Sequence, residues 1–569
     1  MSIEEYRELI IDYLVRERDL YQQDIELNKN LPEDEKVNEG LLILDAVVVK
    51  CLDGEYILQV KDNFTKLRPG DSVALYNIVQ RRLINAIIIE NATDEILLKC
   101  QHILREGEIF NIEVLEFVLL DSLIALMKTL EVGSPGAGFL AIMSDNRQPR
   151  QKGLFGSIDI NKEKIIPNSL NANQRESIAR ILLRPTFYCL QGPPGTGKTF
   201  VLGLLAYTFS KHGLEVMVLS KTHQAVNNAL NAISKVNKES CIVKIGDNLK
   251  ALDLESHVIQ ATTYSNYITL RKNLKKSTHG YGDIVGMTMQ AGIVNVGLRN
   301  QGFKPQVVLI DEASQIPVTE AAWLGACGAG TIVFIGDEHQ MPPIFHQEQQ
   351  YELLSESIFS FLHRKYPDYF ISLDTTYRMN SIITNIVSHT FYEPSGIRLI
   401  SHQTAYNNFL MLNATCDDKR IERILSQPDS FHVENISKED IWEDENKEEA
   451  VFAASLLNEI LRFGISVDDV AIITPFRRQV RAIREKCRQL IGDNLPLIDT
   501  VERLQGQDVQ MIIISMCVSN AFYYNNKQRS FLLNPNRLNV MISRAKSKVV
   551  FLASEVVQKD LNKIFSHII

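Results

Sequence analysis

The run Gly192-Pro193-Pro194-Gly195-Thr196-Gly197-Lys198-Thr199 fits G-x-x-x-x-G-K-[ST]. It stands between an apolar strand-like stretch, TFYCLQ, and an apolar helix-like one, FVLGLLAYTF. That context is what the pattern demands. Glycines let the loop turn its backbone amides inward, toward the oxygens of a phosphate chain. A helix that starts at the loop adds the positive end of its dipole. Lys198 then reaches the β- and γ-phosphates, and Thr199 offers a hydroxyl to magnesium. The ligand implied is ATP or a related triphosphate with Mg2+.

Hydrolysis also needs an acid at the end of a neighbouring strand. VVLIDEAS supplies one: Val307 to Ile310 are apolar, and Asp311-Glu312 follow, 113 residues beyond Lys198. Asp311 suits magnesium, and Glu312 suits the general base that polarises the attacking water. A second apolar strand, TIVFIGDEHQMPP, ends in Gly336-Asp337 and carries Gln340 before Pro342-Pro343. A polar group there can register the presence of a γ-phosphate.

These residues need a scaffold to converge. From 166 onward, strand-like and helix-like runs alternate to the C-terminus, the pattern of a parallel sheet covered on both faces. Earlier segments differ. Residues 3 to 27 carry apolar positions at helical spacing, Ile3, Tyr6, Ile10, Leu14 and Leu20, within an N-terminal helical segment, 1–40. Short β-type runs broken by Asp53-Gly54, Pro69-Gly70-Asp71 and Asn91 to Asp94 predict a small β-barrel over 41–112. EVLEFVLLDSLIALMKTL returns to helical period, and a Gly-, Pro- and Ser-rich stretch follows; together they read as a stalk helix and linker over 113–165.

The balance of the 569 residues narrows the classes. Hydrophobic residues make up 45% and charged residues 23%, the range of ordinary globular chains. A formal net charge of −9 argues against indiscriminate coating of nucleic acid, which calls for a basic surface. A strand held in one narrow cleft is compatible with it. The eight cysteines are scattered singly with no C-x-x-C spacing, so neither a zinc nor an iron–sulfur site is expected. MSIEEYRELIIDYLVRERDLY is acidic and helix-patterned, unlike a secretory signal. The run Met511 to Met516 is too short to span a bilayer. The expectation is a protein of the cytoplasm, or of the nucleus in a eukaryote, without membrane partners.

Three later runs make the pattern specific: Leu373-Asp374-Thr375-Thr376-Tyr377-Arg378-Met379-Asn380, Asp499-Thr500-Val501-Glu502-Arg503-Leu504-Gln505-Gly506-Gln507-Asp508, and Asn536-Arg537-Leu538-Asn539-Val540-Met541-Ile542-Ser543-Arg544-Ala545-Lys546. With the phosphate loop they resemble, in order and over about 170 to 552, the superfamily 1B helicases of the nonsense-mediated-decay, immunoglobulin μ-binding and senataxin-like group, in a compact, bacterial-type form. That resemblance implies an α/β fold with two RecA-like P-loop NTPase domains, at 166–355 and 356–569, with an insertion at about 248–282. It also implies an accessory barrel on a helical stalk.

The resemblance further assigns roles. Gln174 matches a residue that reads adenine, Tyr377 one that stacks on the base, and Asp508 an acid near the ribose. Gln340 matches the γ-phosphate sensor; Arg378 and Arg544 match the two arginine fingers. Ser220, Thr222, His223, Gly286, Thr288, Thr474, Pro475 and Thr500 match strand-binding positions, suited to backbone phosphates of single-stranded nucleic acid, DNA or RNA. Taken singly, those hydroxyls could equally cap helices or turns. Departures from the family pattern are Asn227 for Asp, Leu504 for Phe, Asp508 for Glu, Asn536 for Arg and Ser543 for Thr. The implied activity is ATP-dependent translocation or unwinding, 5′ to 3′. A strand-stimulated ATPase that remodels complexes, or a nucleotide-controlled switch, would use the same phosphate loop.

Overall fold

The chain is seen here as a computed structural model that describes every residue except 53–54, 61–62, 64, 66, 68–71, 78–80, 92–94, 101, 115–119, 131–136, 152–157, 164–165, 237–238, 247–252, 262–266, 269–279, 295–302, 346–353, 413–414, 437–443, 502–507, 520–523 and 567–569. Much of the expected 248–282 insertion, and Leu504, lie outside the described residues.

Six strands, β1 (Leu42–Leu52), β2 (Glu55–Gln59), β3 (Ser72–Asn77), β4 (Arg82–Asn91), β5 (Glu95–Cys100) and β6 (Ile109–Val114), close an antiparallel barrel in the order β1-β2-β5-β4-β3-β6. Period-two patterning builds it. β2 turns Tyr56 and Leu58 inward, β5 turns Ile96 and Leu98 inward, and they meet Val48, Val73, Ile88 and Ile112.

The first helix, Ile3–Asn30, starts at a capping box: the Glu5 amide donates to Ser2 Oγ at 3.1 Å, and the Ser2 amide donates to Glu5 Oε2 at 2.7 Å. Its buried stripe of Tyr6, Ile10, Tyr13 and Leu14 shares one core with Leu123, Ile124 and Met127 of the helix Leu120–Thr129. Phe139, Phe187 and Phe334 belong to that same core. The stalk is therefore continuous with the first domain's interior.

That domain is built on β7 (Phe187–Gln191), β8 (Val216–Ser220), β9 (Ile242–Ile245), β10 (Ile259–Ala261), β11 (Ile284–Thr288), β12 (Val307–Ile310), β13 (Thr331–Gly336) and β14 (Phe370–Ser372). All pairings are parallel, in the order β10-β9-β11-β8-β12-β13-β7-β14. The central strands are buried end to end, as continuous apolar runs in doubly covered sheets must be. Alternate residues feed two cores: Met217, Leu219, Val308 and Ile310 on one face, Val216, Val218, Val307 and Leu309 on the other. The edge strand β14 comes from chain beyond the boundary expected at 355/356.

A short parallel pair, β15 (Thr375–Thr376) with β16 (Ile400–Ser401), leads into the second domain. There β17 (Phe431–Asn435), β18 (Val470–Thr474), β19 (Leu497–Thr500), β20 (Val509–Ser515) and β21 (Ala545–Ala553) form a parallel sheet in the order β17-β21-β20-β18-β19. Ile512 and Ile514 face one core, Met511 and Ile513 the other. The architecture is α/β, two RecA-like parallel-sheet domains preceded by a barrel on a helical stalk. No helix among the described residues is long and apolar enough to cross a membrane.

Candidate active site and strand-facing edge

The phosphate loop joins the end of β7 to the helix Lys198–Lys211. Gly195 and Gly197 have φ of +73° and +84°, a backbone that favours glycine. The Gly192 amide donates to the Gly336 carbonyl at 2.9 Å, which ties the loop to the end of β13. A Cβ on Gly192 would overlap the Lys198 side chain, whose ammonium donates to the Gly192 carbonyl. Thr196 Oγ1 donates to the Pro193 carbonyl at 2.7 Å; Pro193 and Pro194 are buried. Gln174 is buried, with both ends engaged. Its Oε1 accepts from the Asn171 amide at 3.2 Å, capping the helix Ala172–Leu182, and its Nε2 donates to the Thr196 carbonyl at 3.0 Å.

Asp311 ends β12 beside the loop and is 5% exposed. Burial raises its carboxyl well above the usual range, the neighbouring Glu312 charge adds to this, and Lys198 opposes it. Two adjacent acids near Lys198, with the hydroxyl of Thr199 one residue on, offer oxygen donors that suit a hard divalent cation such as magnesium.

The second domain completes the cleft. The Tyr377 amide donates to the Gly195 carbonyl at 2.8 Å. Arg378 donates from Nη1 to the Ser543 carbonyl at 3.2 Å. Arg544 donates from Nη2 to Gln340 Oε1 at 3.3 Å, while its Nε is buried without a hydrogen-bond partner. Burial lowers both guanidinium groups, and the nearby Arg544 charge lowers Arg378 further, to about 10. Asp508 offsets them in part, 3.9 Å from Arg378 and 2.9 Å from Lys546. Burial alone would raise its carboxyl, but Arg378, Lys546 and Arg544 hold it below the usual range. A buried Arg544 with an orphaned donor, beside the half-buried Arg378, leaves this cleft short of negative charge. A polyphosphate supplies it. Tyr377 stays 37% exposed, its hydroxyl accepting from Asn171 Nδ2 at 3.3 Å and its ring tilted on His402 at 4.5 Å.

The expected strand-binding residues gather at carboxyl ends of adjacent strands. Ser220 on β8 is the register partner of Thr288 on β11, and Thr474 on β18 that of Thr500 on β19. Carboxyl ends of parallel strands are where such sheets bind ligands. Within this edge the residues differ. Ser220, Thr288 and Thr474 are buried, and the hydroxyls of Ser220 and Thr474 have no hydrogen-bond partner. Thr222, His223, Pro475 and Thr500 are partly exposed. Thr222 and Thr288 also cap helices, accepting from Ala225 and Ala291 amides, each at 3.2 Å. Gly286 has a packing reason: a Cβ there would meet the Leu230 side chain at 2.7 Å.

Known proteins share sequence with most of this chain. Two family profiles, each described as an AAA domain, match residues 169–358 and 354–556. The DNA replication ATP-dependent helicase/nuclease DNA2 of Saccharomyces cerevisiae is 26% identical over 451 residues, 73% of this chain and 28% of that protein. The ATP-dependent helicase NAM7 of the same yeast is 25% identical over 439 residues, 70% of this chain and 43% of that protein. Over some seven tenths of its length the chain is thus similar to ATP-dependent helicases of superfamily 1B. It spans less than half the length of either relative. A crystal structure of arterivirus nonstructural protein 10 (helicase) aligns with 92% of this chain and 79% of its own, at 11% identity and a TM-score of 0.40.

Against the helicase pattern, the departures have local partners. Asn227 joins the buried Lys244 to Asp253, accepting from the ammonium and donating to the carboxylate. Asn536 donates to the carbonyls of Glu338, at 3.1 Å, and Gln340. Ser543 lends its carbonyl, not its buried hydroxyl, to Arg378. Arg477 donates to the Glu39 carbonyl at 3.3 Å, and Arg478 lies 3.4 Å from Asp444, so both arginines have protein partners. Sequence reasoning passed over Tyr392 and Asn539, which reach the sensor loop from the second domain. Neither stands at a spacing that signals chemistry.

Proposed function

We propose that this chain hydrolyses ATP with magnesium and converts each cycle into movement along single-stranded nucleic acid. The observation that carries the reading is that the second domain brings a buried Arg544 onto Gln340 and a half-buried Arg378 beside Gly195 of the phosphate loop. Lys198 and the loop amides hold the β- and γ-phosphates, and Thr199 with Asp311 holds the metal. A magnesium ion held by Thr199 and Asp311 would supply positive charge to offset that of the phosphate oxygens. Glu312 takes the proton of the attacking water. Gln340 senses the γ-phosphate, and Arg378 and Arg544 stabilise the charge that builds on it. Tyr377 stacks on the base, with Gln174 and Asp508 nearby. Loss of the γ-phosphate leaves the two neighbouring guanidinium groups without its charge, which favours opening.

Each domain carries such residues at the carboxyl ends of paired strands, so a strand held by Thr222, His223, Pro475 and Thr500 is moved as the cleft opens and closes. Ser220, Thr288 and Thr474 support those ends from within. The family resemblance supports a 5′-to-3′ direction.

The test is steady-state ATP hydrolysis with magnesium, alone and with single-stranded DNA or RNA of matched length, and with Lys198→Ala as control. A tenfold or greater stimulation by one polymer, lost in the variant, is the expected result. Equal turnover with and without either polymer would sink the motor reading. Displacement of a labelled strand from duplexes with 5′ or 3′ tails then separates unwinding from remodelling and reports direction.

A further inference from the structure

We propose that Tyr392 is a positioning residue for the γ-phosphate sensor, acting through the Asp337 carboxylate that Tyr392 and Gln340 share. This rests on reading the cleft as an ATPase site. Asp337 follows β13 and is fully buried. Its Oδ1 accepts from Gln191 Nε2 at 2.6 Å and from the His339 amide at 3.2 Å. Its Oδ2 accepts from Gln340 Nε2 and from the Tyr392 hydroxyl, each at 2.6 Å. Gln191 leads straight into the phosphate loop, Gln340 is the sensor, and Tyr392 belongs to the second domain. One carboxylate therefore joins all three.

Tyr392 is presented by a single π-helical turn, Ser388–Tyr392, after the helix Ser381–Val387. Such turns break helical register at functional places. The ring meets the His339 ring edge-on at 4.8 Å. Burial and the Asp337 charge push the phenol well above its ordinary value, so it stays a donor. Its oxygen accepts from Asn539 Nδ2 at 2.9 Å, and the same amide donates to the His339 carbonyl at 2.7 Å. Asn536, one turn earlier, donates to the Glu338 and Gln340 carbonyls. Both asparagines lie on the helix Pro535–Ser543, which Arg544 terminates. That helix thus grips the backbone of the sensor loop through Asn536 and Asn539 and the sensor side chain through Tyr392. Finger and sensor move together. With Gln340 Nε2 anchored on Asp337, its Oε1 is left facing Arg544.

Replacing Tyr392 by phenylalanine keeps the ring and deletes one of the two side-chain donors on Oδ2. Gln340 keeps its bond to Asp337, but the carboxylate that fixes its amide is no longer tied to the second domain. The experiment uses the full chain with saturating single strand and measures ATP hydrolysis, affinity for a non-hydrolysable ATP analogue, and melting temperature. Losing a charge-assisted bond at the sensor is expected to lower kcat of Tyr392→Phe by about tenfold or more, with KM and analogue affinity within about threefold of wild type. Asn536→Ala, at a partly exposed position, is expected to lower kcat in the same direction, and it decides the matter if Tyr392→Phe does not fold. Tyr524→Phe is the control. It removes a phenol–carboxylate bond of 2.8 Å, to Asp560, away from the cleft. It is expected to cost comparable melting temperature and to leave kcat unchanged. Wild-type kcat in both cleft variants overturns the proposal, as does a kcat loss matched by equally weakened analogue binding. A wild-type chain that no strand stimulates overturns the ATPase reading instead.

Discussion

Arg544 donates from Nη2 to Oε1 of Gln340 at 3.3 Å, joining the end of a second-domain helix to a loop of the first domain. Both residues are less than a tenth exposed, so the contact sits in a region of low effective dielectric. A cation there acts strongly on any charge that develops on a bound phosphate. Arg544→Ala is expected to lower strand-stimulated kcat by about 10³-fold or more, the scale on which arginine fingers act. Arg544→Lys should fail nearly as badly, because an ammonium lacks the planar fork that presents separate donors to Gln340 and to a phosphate oxygen in fixed directions. Steady-state hydrolysis at saturating ATP measures both, and a lysine variant at wild-type rate would refute the geometry.

Gly195 carries a second constraint between the domains. A Cβ there would lie 2.5 Å from both Thr376 Oγ1 and Arg378 Cβ. Its φ of +73° alone costs a side chain about 1–2 kcal/mol. Gly195→Ala is therefore expected to weaken the closed cleft, not only the loop. The affinity for a non-hydrolysable ATP analogue should fall by about tenfold or more, the free energy of that strain expressed as binding. Analogue titration of Gly195→Ala against wild type checks it, with Lys198→Ala as the variant that loses a phosphate contact directly: unchanged affinity in the glycine variant would mean the cleft closes by another route.

What could be read before the structure was known follows contact distance along the chain. The phosphate loop is eight consecutive residues, so its chemistry is written in one run. The barrel was readable because its strands are short and separated by Gly, Pro and Asp turns. Contacts between distant segments were not. Tyr392 and Asp337 are 55 positions apart, and Asn539 lies 147 beyond Tyr392, with nothing in the neighbouring residues to announce the contacts. β14 pairs with β7 although nearly all the chain between β7 and β14 intervenes, and three residues carry too little pattern to announce a strand. Strand-end hydroxyls such as Ser220 and Thr222 look alike in sequence, yet the first is buried and the second partly exposed. Burial depends on what folds over a residue, which its neighbours in sequence do not determine.

Tyr377 combines a fixed edge with a ring that stays 37% exposed. Asn171 holds the hydroxyl at 3.3 Å, and His402 packs against the ring at 4.5 Å. A ring held at its edge and on its flank is ready to stack on a flat base without further ordering. Aromatic stacking of this kind is worth about 0.5–1.5 kcal/mol beyond area, so Tyr377→Ala is expected to raise KM for ATP by about 2- to 12-fold with kcat little changed. Tyr377→Phe should stay close to wild type, since it keeps the ring. If both variants raise KM equally, the hydroxyl and not the ring carries the effect.

Glu449 gives the second domain a pH dependence of defined sign. The residue is fully buried on the helix Lys447–Arg462. Its Oε2 accepts from Ser515 Oγ at 2.6 Å and from the Cys517 amide at 2.9 Å, but burial outweighs these bonds and raises the carboxyl from 4.5 to about 7. In the unfolded chain the group ionises near 4.5, while in the folded chain it holds its proton until about 7. The folded state therefore binds more protons in that window, and stability falls as pH rises through it. The loss amounts to about 3 kcal/mol by pH 8 relative to pH 4, at 1.36 kcal/mol per pH unit. Glu449→Gln cannot ionise and lacks this term. Urea unfolding of both proteins from pH 5 to pH 8 should show the wild type losing ground steadily to the variant as pH rises, whatever the offset between them at pH 5. Parallel profiles across that range would mean that the Glu449 carboxyl ionises in the folded protein near its ordinary value, with the Ser515 and Cys517 donors outweighing burial.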